Sequence, residues 1–114
     1  MQLNELKPKF IRYEKTFEGE FNIVVETIEE CQGIRFLCPH CFIENKGSIG
    51  THQIICWSSL RGITDDVRPR PGRWCITGTG FDDLTLGAEP GKSRSVLIKS
   101  DWHGYITNGM ITNA

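Results

Sequence analysis

The sequence predicts an α+β fold, mainly antiparallel β with one short helix, and three features carry that reading. Short runs rich in β-branched and aromatic residues recur between turns rich in glycine and proline. Asn108-Gly109 stands between two such runs and is the strongest hairpin signal in the chain. Thr27-Ile28-Glu29-Glu30 has the spacing of a capping box, in which a threonine hydroxyl accepts from a backbone N–H and a glutamate reaches back.

Taken in order, residues 1–20 are polar, acidic and weakly patterned apart from Phe10, Ile11 and Tyr13, and are expected to form an N-terminal arm docked through those side chains. Phe21–Val25 reads as a strand. A short helix from Thr27 should end at Gly33, and Ile34–Cys38 reads as the next strand. The following residues, FIENKGSIG, have the composition of a loop. His52–Trp57 is a strand candidate, whereas the prolines of SSLRGITDDVRPRPG exclude a central strand position. Arg73–Thr77 and Asp83–Leu86 flank Gly78 and Gly80, and Ser95–Lys99 precedes the WHGYITNGMIT hairpin. With 114 residues and no internal repeat, the chain is expected to fold as one domain over residues 1–114.

The formal net charge of -1 provides no global pull toward nucleic acid or anionic membrane. No apolar run approaches the roughly 20 residues that span a bilayer, and MQLNELKPKF lacks the apolar stretch of a signal peptide. A soluble, intracellular protein is expected. Cytosolic thiols are mostly reduced, so the five cysteines (Cys31, Cys38, Cys41, Cys56 and Cys75) do not suggest a disulfide framework.

The stretch FLCPHCF places Cys38 and Cys41 at a spacing that lets both thiolates reach one tetrahedral ion. A redox pair would need the motif at the start of a helix, and the loop-like composition that follows argues against it. Zinc is the usual outcome for cysteine and histidine ligands, and the domain is therefore expected to be zinc-stabilised. The remaining ligands come from His52, Cys56 and His103. In a regular strand His52 and Cys56 lie about 13 Å apart, so both reach one ion only if the strand is broken. A local knuckle of the form C-x2-C…H-x3-C would use both, with an irregular loop around Gly50 and Thr51. The bland alternative makes all five cysteines small buried hydrophobes, and Cys31 and Cys75 stay in that class.

The other chemistry-bearing residues are Trp57, Arg61, Arg73, Trp74, Thr77, Asp82, Asp83, Trp102 and His103, on strand ends and loops. Tryptophan and arginine planes stack on bases or grip phosphates, and paired aspartates take sugar hydroxyls or a cation. Trp57, Arg73, Trp74, Thr77, Asp82, Asp83 and Trp102 are the expected ligand-binding set. Tryptophans in a small β domain more often belong to its core, and GTGFDDLTL also reads as a plain turn.

The motifs GIRFLCPHCF, GTHQIICW, PGRWCITGTGFDDLTL and WHGYITNGMIT resemble, in that order, a family of small bacteriophage and prophage proteins. Members are often labelled ammonia monooxygenase. Such enzymes are large membrane-embedded copper assemblies, and this chain has neither their spanning helices nor their size. The knuckle and the late histidine hairpin are also similar to a broader group of small zinc proteins with a cysteine three residues before the histidine. Here Ser100 holds that position, which removes one ligand, and Cys56 is its natural replacement. The expected ligand set is then Cys38, Cys41, Cys56 and His103, with His52 as the substitute.

The resemblance implies a noncatalytic phage accessory protein that binds a host defence protein or a nucleotide-like small signal in the host cell cytoplasm. One alternative is a zinc-dependent hydrolase or deaminase, with Asp82, Asp83 or a free His52 as general base. The chain has no H-x-E to complete the deaminase signature. A nucleic-acid-binding zinc domain is disfavoured, because the one basic stretch, RGITDDVRPRPGR, is diluted by its own aspartates.

Overall fold

The alternating stretch after Pro8 begins the main sheet in the computed structural model, which describes residues 1–114. Lys9–Thr16 (β1) and Gly19–Val25 (β2) form a hairpin with Phe10 opposite Val25. On its other edge β1 pairs with Gly33–Leu37 (β3), which pairs in turn with Gln53–Trp57 (β4). The order is β2-β1-β3-β4, antiparallel throughout, so β2 and β4 are edge strands. Pro39–Asn45 (α1) fills the excursion between β3 and β4.

The second half supplies two smaller antiparallel sheets. Trp74–Thr77 (β5) pairs with Thr85–Ala88 (β6), and Val96–Ile98 (β7), Trp102–Thr107 (β8) and Met110–Asn113 (β9) form a meander. Asn108 and Gly109 carry φ of +50° and +78°, the turn for which that dipeptide is suited. The mainly antiparallel fold with one short helix is thus observed.

One core draws on all three sheets. Ile34, Phe36, Ile54 and Cys56 meet Trp74, Ile76 and Leu86 from the second sheet and Val96, Trp102 and Ile106 from the third. Each large apolar side chain removed from water in this way contributes about 1.5–3 kcal/mol before the entropy of ordering it. The opposite face of the main sheet has a smaller cluster, where Ile63 and Val67 of the long loop cover Ile11 and Trp57.

Residues 1–20 depart from the expected arm. Leu3 and Leu6, on a 3-10 turn at Leu3–Leu6, are fully buried, and β1 lies inside the sheet. Phe10 does dock, stacking on Phe81 at 4.0 Å. The helix expected from Thr27 is also absent. The Glu30 N–H reaches the Thr27 hydroxyl at 3.3 Å, but the Glu30 carboxylate takes the threonine O–H and leaves the backbone N–H. Arg61 draws the carbonyls of Ile28 and Cys31 toward its guanidinium, and the segment stays a turn. The helix forms instead within the presumed loop, since Pro39 at its first position presets φ and Phe42 N–H bonds the Cys38 carbonyl at 2.9 Å.

Candidate metal centre

Cys38 follows β3 as the N-cap of α1, and its buried thiol belongs to the main core. The first turn of α1 brings Cys41 round beside it. Lys46 stops the helix with φ +55°, and the chain returns through Gly47 and Gly50, held by Thr51 Oγ1 donating to the Gly47 carbonyl at 2.7 Å. His52 then sits just before β4, and its carbonyl accepts from Cys38 N–H at 2.9 Å. One backbone bond thus closes residues 38–52 into a loop, and three side chains meet at its base.

The donor atoms of Cys38, Cys41 and His52 all lie within 4.8 Å of one another. Cys41 Sγ is 3.5 Å from His52 Nδ1. Tetrahedral zinc with Zn–S near 2.3 Å and Zn–N near 2.05 Å would set those two donors about 3.6 Å apart. Two soft sulfurs and an imidazole therefore fit zinc in both kind and spacing. On the far side of the ring, His52 Nε2 lies 3.6 Å from Asp101 Oδ2. Burial, then the hydrogen bond and charge of Cys38, and then Asp101 and Glu44 push the Cys41 thiol up to about 11. A cation at this point would have to displace the Cys41 proton, and its charge would supply the stabilisation that this thiolate lacks.

The expected ligands separate into two groups. Cys38, Cys41 and His52 come together. Cys56 does not join them: it is fully buried among the apolar side chains of β4 and the core, which push its thiol strongly upward. His103 projects from β8 at the surface, outside the donor cluster. The strand spacing explains why His52 and Cys56 cannot share an ion, since β4 is regular between Gln53 and Trp57. Cys31 is buried and Cys75 half-buried, both as free thiols.

The ligand-binding set expected from sequence does not form one pocket. Trp57, Trp74 and Trp102 are buried, and their indole N–H groups are engaged by Arg68 O, by Arg94 and Ser95 O, and by Asn113 Oδ1. The buried guanidinium of Arg73 donates to four carbonyls, those of Thr64, Val67, Pro69 and Gly72, and so shapes the loop over Trp57. Asp83 accepts from the Thr79 and Gly80 N–H groups and the Thr79 hydroxyl, which hold its carboxyl below the usual range. Asp82 accepts from the Asn4 side chain, and Thr77 is exposed at the end of β5. Trp57, Arg73 and Asp83 thus hold loops in place rather than face a ligand.

Asp101 escaped the reading from sequence. Its signal was its place in the turn before His103, between β7 and β8. No protein-family model, curated protein or solved structure matches the chain. No helix is long and apolar enough to cross a membrane.

Proposed function

We propose that this is a zinc-stabilised domain of a phage accessory protein, acting noncatalytically in the host cytoplasm by binding a host protein. The observation that carries the metal part is the convergence of Cys38, Cys41 and His52 at the base of the 38–52 loop. Zinc held there would clip the end of β3, the start of α1 and the start of β4, and its binding free energy would add to folding. The redox reading gains a helix start but loses its nucleophile, because the more accessible thiol, Cys41, is pushed up to about 11. The resemblance of the four motifs to phage proteins supports the host-directed part. A protein partner is favoured over a nucleotide, because Arg73 and the tryptophans expected to grip a base are spent on internal hydrogen bonds.

The test is metal analysis of the purified protein beside mass spectrometry of what co-purifies with it from bacterial cells. Near one equivalent of zinc, lost in Cys38→Ser/Cys41→Ser, is expected, together with a co-purifying host protein. A double variant that folds normally without metal would remove the centre.

One observation favours a second reading. With three protein donors and an exposed His52, a fourth coordination position is open, the arrangement in which zinc serves hydrolysis. Hydrolysis of a nitrophenyl ester or phosphate by the zinc-loaded protein, abolished by chelation, would move the assignment there.

A further inference from the structure

A groove of about 400 Å³ runs between the first and third sheets, and its apolar lining includes Ile54, Ile55, Trp74, Leu97 and Ile98. Three successive residues of β4, Gln53, Ile54 and Ile55, line it. Side chains of a strand alternate between faces, so three in a row mean that the strand presents its edge. The backbone pattern agrees. Cys38 N–H bonds His52 O, and Ser58 N–H bonds Gln32 O, so the even-numbered residues of β4 turn toward β3. The N–H and C=O groups of Gln53 and Ile55 therefore point away from the sheet, and no partner for them exists in the fold.

An unpaired edge beside an apolar groove is the receptor geometry for strand addition. Charge selects the occupant. Arg70 lines the groove, with Arg68 next to it along the rim, and both are exposed. The close ion pairs in the chain are His40–Glu44 and His52–Asp101; Arg70 feels the Asp66 carboxylate from a distance, but neither arginine holds a carboxylate in a direct pair. Two copies joined symmetrically through β4 would bring these arginines toward their own counterparts, which is unfavourable.

We propose that this groove binds an extended segment of a partner protein, apolar on alternate residues and carrying an aspartate or glutamate, as an added strand on β4. This deepens the reading of a protein-binding domain by naming the surface and the kind of segment. Main-chain bonds to Gln53 and Ile55 would supply register, the Leu97, Ile98 and Trp74 surface would take the apolar side chains, and Arg70 would meet the carboxylate.

The test is selection of random dodecapeptides displayed on phage against the zinc-loaded full chain, followed by fluorescence anisotropy with a synthetic winner. Winners should alternate apolar residues and carry an acid. Leu97→Glu and Arg70→Glu, both at exposed positions where folding is safe, should each weaken binding by about tenfold or more. N-methylating alternate peptide amides should abolish binding in one register and spare it in the other, which a merely greasy contact would not do. The proposal is overturned if no sequence is enriched, if both charge variants bind normally, or if N-methylation is tolerated in both registers. A concentration-dependent dimer in sedimentation that Leu97→Glu dissolves would assign the groove to a second copy and overturn it too. Zinc is measured on every sample, so loss of metal with peptide binding retained would remove the proposed centre and leave the groove standing.

Discussion

His52 Nε2 faces the Asp101 carboxylate at 3.6 Å, while the Nδ1 of the same ring faces Cys41 Sγ at 3.5 Å. A carboxylate behind a ligating imidazole fixes the tautomer and strengthens the donor. The pair thus brings the β3–β4 loop beside the β7–β8 turn.

Substitution at this pair separates the two ligand schemes. His52→Ala should lose zinc, and His103→Ala should keep it. Asp101→Asn should keep the metal with affinity reduced about 10- to 100-fold, measured by competition with a chromophoric chelator. Zinc loss in His103→Ala with retention in His52→Ala would reverse the assignment.

The metal-free protein should weaken in alkali. An unfolded Cys41 ionises near 9, whereas the folded thiol holds its proton to about 11. The folded state therefore binds more protons in that window, and the stability present below pH 9 is lost as pH rises through 11. Cys56, raised by burial, and Tyr13, raised to about 12 by its hydrogen bond to Glu20, act in the same direction. Thermal melts of the chelator-treated protein should show the fall, and zinc-loaded samples should lack the Cys41 part of it. A flat profile without metal would contradict the site's electrostatics.

Arg73→Ala should cost about 2–4 kcal/mol, because the buried Val67 carbonyl and three part-buried ones lose their donor at once. Arg73→Lys should recover only part of this, since an ammonium cannot reproduce the planar fork. Urea denaturation measures both. An alanine variant as stable as the parent would return Arg73 to the list of free ligand residues.

Gly109→Ala should destabilise by more than about 1 kcal/mol, since φ is +78° and a methyl group there would collide with the Asp82 carbonyl. The lowered melting temperature should be accompanied by loss of hydrogen-exchange protection at Leu3, whose N–H bonds the Gly109 carbonyl at 2.8 Å. Unchanged protection would mean that the turn does not anchor the N-terminal segment.

Strand β1, read as an arm, was not legible, since only Phe10 and Ile11 of its eight residues are buried and no alternation shows. The β framework from β2 onward was legible because strand runs and the Asn108-Gly109 turn are local signals. Cys38 and Cys41 were legible for the same reason: their spacing is fixed by one turn of chain. What failed was set by distant groups. The capping box at Thr27 was present but lost its carbonyls to Arg61, more than thirty residues away in sequence. Helix α1 is too short for its period to emerge, and its strongest cue was the proline inside the knuckle. Arg73 and the tryptophans looked like ligand groups because exposure is not written in composition. Trp57 and Arg73 are buried by the long loop folding back, and Trp74 and Trp102 by the packing of the three sheets.

The contact between the first residues and the last hairpin orders events during synthesis. Gln2 bridges Met110, Met1 O accepts from Ile111 N–H, and Leu3 and Leu6 fill the core. Leu3 and Leu6 pack beside β3, which is made early, but the backbone bonds of Met1 and Leu3 wait for Ile111 and Gly109. The main sheet can assemble early from β1 to β4, but residues 1–3 gain their backbone partners only when the β8–β9 hairpin is made. Such a long-range latch slows folding and concentrates the hazard of misassociation in the unfinished chain. A chain stopped before residue 109 would thus hold residues 1–6 by their packing beside β3, without the backbone bonds that latch them to the β8–β9 hairpin.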